Sequence, residues 1–255
     1  YEGDLVIDWG DGVETKNQLT YNYSDNLPTH VITINSGNVK TLKGNNNGIS
    51  VVNIFNMPGI TSMNLDDNDL TTIDLSTLTG LTILSIARNK LATISLTSSP
   101  LISTLNLEDN DLVSLSVSNL LSLETLKAGK NRLTSLDVSA NVNLVSLVAG
   151  ENNISSLSLG MAHKLAYIDV NANSLTDFTI PSVNVLSFLN VSSNSMINPV
   201  FDGSNYPELT TLYIDSMPVM KTLEVTNTPN LLAFHANENP VVTDATITRN
   251  SFIVA

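Results

Sequence analysis

The chain is written in phrases that alternate apolar and small polar residues, and each phrase closes on asparagine. One copy reads Leu81-Thr-Ile-Leu84-Ser-Ile86-Ala-Arg-Asn89, and another reads Leu144-Val-Ser-Leu147-Val-Ala149-Gly-Glu-Asn152. The closing residues are Asn47, Asn68, Asn89, Asn110, Asn131, Asn152, Asn173 and Asn194, each 21 residues after the one before. In the second copy Leu147 and Ala149 alternate with Ser146, Val148 and Gly150, which predicts a short strand with one set of side chains inward and the other outward. One such strand buries almost nothing. Stacked copies pair laterally at about 4.8 Å and merge their inner residues into a continuous core. A fixed period of this length therefore predicts a solenoid, with function carried by the face that the stack exposes.

After each strand the chain must bend inward, which takes backbone N–H and C=O groups away from water. A buried asparagine amide both donates and accepts, so it satisfies those groups in the same way in every turn. The second half of each repeat carries a further apolar phrase: Leu70/Ile73/Leu75, Leu91/Ile94/Leu96, Leu112/Leu115/Val117, Leu133/Leu136/Val138 and Ile154/Leu157/Leu159. Ser, Thr and Asp lie between these residues and disfavour a helix interior, so strands are expected on both sides of the coil.

The motif resembles the leucine-rich repeats of bacterial surface proteins. Phrases such as Leu133-Thr-Ser-Leu136-Asp-Val138-Ser-Ala-Asn141 are similar to the short repeats of Bacteroidales-type surface proteins, and the resemblance spans about four-fifths of the chain. It implies an extracellular or surface-anchored interaction module. The expected fold is a curved, right-handed, β-rich leucine-rich repeat solenoid of about ten repeats of 21–23 residues, occupying residues 39–240.

Residues 1–38 do not follow the repeat. Leu5-Val-Ile-Asp-Trp9 stops at Gly10-Asp11-Gly12, and Tyr21-Asn-Tyr23 and His30-Val-Ile-Thr-Ile34 supply further strand-like runs around Asp25-Asn-Leu-Pro28. The segment reads as a small antiparallel β unit. Its Ile7-Asp-Trp-Gly-Asp-Gly12 string resembles the turn of PKD-like β-sandwich domains, and it is expected to cap the N-terminal end of the core. Toward the other end, Pro181, Pro199, Pro207, Pro218, Pro229 and Pro240 crowd the last third. Asn198-Pro199 falls where an outer strand had been, so the outer strands are expected to fail there. Met217 stands at the next asparagine position, after 23 residues, before the pattern returns at Leu231-x-x-Phe234-x-Ala236-x-x-Asn239. Residues 241–255 read either as a closing cap strand or as a truncated end.

A uniform period makes 255 residues one elongated body, where length alone would allow two domains. The chain has no cysteine, so stacking must hold it together without disulfides or thiolate metal sites. No apolar stretch is long enough to cross a bilayer. The sequence begins without an initiator Met or signal peptide, which reads as a processed or engineered start, and membrane association is expected only through an anchor outside this chain. A net charge of −13, with eleven Lys and Arg spread along the sequence, argues against nucleic acid and anionic membranes as partners.

The runs Asp66-Asp67-Asn68-Asp69 and Glu108-Asp109-Asn110-Asp111 offer the oxygen ligands that calcium prefers. The repeat register favours a different use. The column before the asparagine reads Asp67, Arg88, Asp109, Lys130, Glu151, and the column after it reads Asp69, Lys90, Asp111, Arg132. Adjacent turns thus set opposite charges side by side, at roughly 0.2–1 kcal/mol per pair. No metal or cofactor is expected. His30, His163 and His235 are far apart in repeat space, and no nucleophile elbow, phosphate loop or His-Glu metal motif is present. No catalytic residue is assigned.

The outward positions of the inner strands form three columns. Most are small or polar, among them Ser62, Asn64, Ser85, Thr104, Asn106, Thr125, Ser146 and Ser192. In the C-terminal third they become Tyr167 with Asp169 and Asn171, Phe188 with Asn190, Tyr213 with Asp215, and His235 with Asn237. Rings beside carboxylates and amides suit a protein side chain or a stacked sugar. The expected partner is an extracellular protein or a glycan, against the alternatives of a solvated sheet and a structural spacer.

Overall fold

The computed structural model describes residues 6–8, 14–16, 30–35, 39–55, 57, 59–160, 163–180 and 185–248. Near the N-terminus, β1 (Val6–Asp8) runs antiparallel to both β2 (Glu14–Lys16) and β3 (His30–Asn35). After β4 (Thr41–Lys43) comes β5 (Ile49–Phe55), which pairs in parallel with β3, so this sheet runs on into the repeat region. The proposed PKD-like turn at Gly10-Asp11-Gly12, together with Trp9, Tyr21 and Tyr23, lies outside the described residues, as do residues 249–255.

The main body is a ladder of ten parallel strands. It opens with β4 and continues through β6 (Ser62–Asn64), β7 (Ile83–Ser85), β8 (Thr104–Asn106) and β9 (Thr125–Lys127). Past β10 (Ser135–Asp137) and β12 (Ser156–Ser158), which lie on the outer side, it runs through β11 (Ser146–Val148), β13 (Tyr167–Asp169) and β14 (Phe188–Asn190). It closes with β16 (Thr211–Tyr213) and β18 (Ala233–His235), giving about nine turns with no helix among the described residues.

Three-residue strands follow from the alternation, because only the middle residue points inward. Met63, Leu84, Leu105, Leu126, Leu147, Ile168, Leu189 and Leu212 are all fully buried in a single core that runs through the stack. Leu75, Leu96, Val117, Val138 and Leu159 press on the same core from the outer side.

The outer strands differ from the sequence expectation in two ways. In the early turns the second apolar phrase keeps its burial but forms no laterally paired strand; only β10 and β12 pair there, in parallel. In the proline-rich third, where failure was expected, β15 (Val200–Asp202), β17 (Thr222–Thr226) and β19 (Asp244–Ile247) form a three-stranded parallel sheet. Pro199 sits just before β15, so its missing N–H leaves no gap in the ladder, and its carbonyl still accepts from Glu224 N at 3.1 Å.

The asparagine column ties each turn to the one before. Asn131 Nδ2 donates to Leu107 O of the previous turn and to Ala128 O and Gly129 O of its own, while Oδ1 accepts from Leu112 N. The same pattern holds at Asn68, Asn89, Asn110, Asn152, Asn173 and Asn194, each of them buried. At the start of the column Asn47 is exposed; its own amide donates only to Asn45 O, and its backbone N–H is received by Asn68 Oδ1. Met217 fills its place fully buried but offers no amide, and Asn239 resumes by accepting from Met217 N and donating to Ile214 O. A second polar support sits at the opposite bend, where buried Asn141 donates to Val117 O and Leu120 O.

The inward bend needs a left-handed residue, and the residue before each ladder asparagine supplies it. Asp67, Arg88, Asp109, Lys130 and Glu151 have φ between 53° and 58°, and Ala172 has φ 49°. Charge alternates along this column and the one after the asparagine. Arg88 Nη2 lies 2.8 Å from Asp67 Oδ2, Lys90 pairs with Asp69 at 2.6 Å and Arg132 with Asp111 at 2.6 Å. Its hydrogen bond to Arg88 holds the Asp67 carboxyl below the ordinary carboxylate range. These pairs are solvent-exposed, so they add little beside the buried amide ladder. Among the described residues no group of three or more His, Asp or Glu side chains converges as a metal site.

Candidate functional site

Strand parity places every odd position of the ladder strands on the open face, and the lateral register then fixes which side chains meet. Over the first turns this face is mostly small and polar, with Lys43, Ile83 and Lys127 as its larger members, and it ends at Ser146 beside Tyr167. From there Tyr167 lies beside Phe188, and Asp169 beside Asn190. The next pairing brings Thr211 beside Phe188 and Tyr213 beside Asn190. The turn between Phe188 and Thr211 holds two residues more than its predecessors, and the aromatic position moves one column across. His235 follows Tyr213 in that second column. The row is thus a staircase of two rings, a sidestep, and two rings.

The rings touch along the whole row. Tyr167 and Phe188 stack with centroids 4.2 Å apart and planes 4° from parallel, and Tyr213 and His235 stack at 4.3 Å and 11°. At the sidestep Phe188 and Tyr213 are 5.7 Å apart and tilted by 44°. The stacking distances are close to the strand spacing of about 4.8 Å, so each ring stands upright with its faces turned along the stack axis. Faces within a stacked pair cover each other. Three faces lack a ring partner: the outer face of Tyr167, which looks over the small Ser146, the wedge between Phe188 and Tyr213, and the far face of His235 at the end of the ladder.

Asp169 stands two residues along the strand from Tyr167, and burial pushes its carboxyl above the ordinary range. Hydrogen bonds from Asn171 N, at 3.2 Å, and from the Asn190 side chain oppose that shift, and the nearby negative charge of Glu151 adds to it. Burial, and then Asp169, raises the Tyr167 hydroxyl as well. Asn171 lies across Gly150 so closely that a Cβ at residue 150 would collide with its Oδ1. Asp215 is held by its own turn and its neighbours: its N–H donates to Ser192 Oγ at 3.0 Å and its Oδ1 accepts from Asn237 N. All eight residues singled out from the sequence, Tyr167, Asp169, Asn171, Phe188, Asn190, Tyr213, Asp215 and His235, lie on this one face.

A second concavity went unread in the sequence. A cavity of about 360 Å3 opens on the outer side, lined by Phe178, Ile180, Met196, Phe201, Tyr206 and their polar neighbours. Its only signal was the 23-residue interval between Asn194 and Met217.

No family model matches the chain, and no curated protein matches it in sequence. Solved structures do match it in shape. The functional domain of InlJ from Listeria monocytogenes aligns with a TM-score of 0.61 and 23% identity over 83% of this chain and 58% of that one. A leucine-rich repeat protein of Leptospira interrogans aligns with a TM-score of 0.65 and 20% identity over 83% and 61%. TLR13, in a complex with ssRNA13, aligns with a TM-score of 0.61 and 18% identity over 79% and 33%. The fold is therefore a parallel-strand solenoid of the leucine-rich repeat type, and the chain spans about three-fifths of the first two of these structures.

Proposed function

We propose that this chain is an extracellular or cell-surface protein-binding module, of the adhesion kind and not an enzyme, that receives its partner on the open face of the ladder sheet. The observation that carries the reading is the row of four touching rings at one end of a face that is elsewhere mostly small and polar. Rigid aromatic side chains already packed against one another lose little rotamer freedom on binding, which is what an interface anchor requires.

The same geometry weighs against the glycan reading. A sugar stacks its C–H face on an open ring face, and within each stacked pair of this row the facing surfaces are already covered. The partner class also follows from charge, since this fold serves TLR13 in a complex with RNA. A chain of net charge −13 with no basic stripe is poorly suited to phosphate, so a protein is the better partner. Surface location rests on the resemblance of the repeat to bacterial surface proteins.

The test is binding of the immobilised chain to a mixed array of extracellular proteins and glycans, beside a Tyr167→Ala/Phe188→Ala/Tyr213→Ala variant whose fold is checked by circular dichroism. A protein hit lost in the folded variant supports the reading. A glycan hit lost in the variant replaces it with the glycan module. Hits that the variant retains, or none at all, overturn it and favour a spacer.

A further inference from the structure

The geometry points to a specific demand on the partner: it presents a cationic side chain, most suitably arginine, that lies over Ser146 on the open face of Tyr167 with Asp169 as its counter-ion. The inference rests on the reading of the face as a protein-binding site and names the chemistry of the contact.

Three observations converge on it. The first is the open ring face. Tyr167 is the first ring of the row, its Phe188 side is covered at 4.2 Å, and the strand on its other side carries serine at the paired position. A planar guanidinium resting there meets the electron-rich face of a ring that is itself backed by a second ring. Elsewhere in the row only the wedge between Phe188 and Tyr213 and the far face of the His235 imidazole lack a ring partner, and the ring edges, with their partial positive charge, repel a cation.

The second observation is the local charge. From Ser146 to Glu238 the face positions and the bend beside them carry Glu151, Asp169, Asp215 and Glu238, and no lysine or arginine. The two lysines in that stretch are placed elsewhere. Lys164 donates to Asn143 Oδ1, and Lys221 flanks the outer strand β17, its backbone bonded to Ile197 O. This contrasts with the N-terminal turns, where Arg88, Lys90 and Arg132 neutralise the acidic columns. Glu151 has Lys130 at 4.0 Å, and Lys127 stands two strands from Asp169 in the same column, so the acids of the aromatic end that no ion pair holds among the described residues are Asp169, Asp215 and Glu238.

The third is the state of Asp169. It is half-buried between Val148 and Asn190, and its hydrogen bonds come from neutral amides, Asn171 N and the Asn190 side chain. A cation arriving over Ser146 supplies the charge partner that the free protein lacks, at a position where water is already partly excluded.

The test is selection of binders to the whole chain from a random twelve-residue peptide library, followed by affinity measurements on the wild type and on Tyr167→Leu, Asp169→Asn and Phe188→Ala/Tyr213→Ala variants. Selected peptides are expected to share an arginine or lysine, and to lose roughly tenfold in affinity in Tyr167→Leu and in Asp169→Asn. Replacing that arginine by citrulline should cost at least as much in the wild type and clearly less in Asp169→Asn, where only the contact with the Tyr167 ring remains to be lost, a coupling that a merely structural role for Asp169 would not produce. Peptides that bind the patch, as judged by Phe188→Ala/Tyr213→Ala, without preference for a basic residue overturn this inference and leave the protein-binding reading standing. An absence of any patch-dependent binder overturns both.

Discussion

Replacing Asn131 by leucine tests the amide ladder where its arithmetic is clearest. The side chain is 7% exposed, and its Nδ2 donates to Leu107 O at 2.9 Å, Ala128 O at 3.2 Å and Gly129 O at 3.0 Å. Each of those carbonyls keeps a second donor after the substitution: Asn110 Nδ2, Asn152 Nδ2 and Asp109 N respectively. The loss falls on the other side of the amide, where Leu112 N donates to Asn131 Oδ1 at 3.0 Å. Leucine leaves that buried N–H without an acceptor, at about 1–3 kcal/mol, and the three weakened carbonyls add roughly 0.5 kcal/mol each, for a total of about 2.5–4.5 kcal/mol. In a chain of this size that corresponds to a fall in Tm of roughly 5–15 °C, read by circular dichroism. Amide exchange should accelerate at Leu112 in particular. Asn47→Leu, at the same place in the repeat, should change stability by less than about 0.5 kcal/mol, because its side chain is exposed and bonds only Asn45 O. Equal losses for the two variants, or an Asn131→Leu protein as stable as the wild type, would refute the reasoning.

Three further outcomes follow from the geometry. Gly203→Ala should cost about 1–3 kcal/mol in urea unfolding, because its Cβ would collide with Asn227 O while Gly203 N is held by Thr226 O at 2.8 Å, so the backbone has no room to retreat. Ala172→Gly should stabilise by about 0.5–1 kcal/mol, since φ 49° strains a residue with a Cβ more than glycine's added freedom in the unfolded chain costs; a lower Tm would contradict the strain. Asp169→Asn should be more stable than the wild type at neutral pH. Folding raises the Asp169 pKa, so its burial penalty is absent below the unfolded value of about 3.9 and grows as pH rises through the folded one. The gap between the two proteins should therefore close on acidification, and a gap that widens in acid would reverse the sign of the argument.

The sequence showed most plainly what every turn repeats. Leu147 and its equivalents had to point inward because a three-residue strand has one inner position, and the 21-residue asparagine period could not serve a ladder in any other register. The outer strands were misjudged because apolar alternation reports burial and not lateral hydrogen bonding. Leu75, Leu96 and Val117 are buried whether or not their backbones pair with the next turn. Counting prolines failed for a related reason: Pro199 matters by its register, one residue ahead of β15, and not by its presence. On the open face, parity alone placed Tyr167, Phe188, Tyr213 and His235 outward. The sidestep of the row depends on where the two additional residues before Thr211 are absorbed, and the open face of Tyr167 depends on ring orientation; neither is written in spacing.

Met217 gives the molecule a seam. On either side of it, asparagine amides stitch successive turns together, but between the turns of Asn194 and Met217 that stitch is missing, and the gap is crossed by backbone bonds such as Ser193 N to Asp215 O, by side-chain bonds such as Asp215 N to Ser192 Oγ, and by packing. Pulling along the stack axis should part the stack here first, releasing the last turns as a unit ahead of the rest. The aromatic row straddles that line, with Tyr167 and Phe188 on one side and Tyr213 and His235 on the other. A partner seated across the sidestep would clamp both halves, so the grip of the ligand and the tensile strength of its holder would rise and fall together.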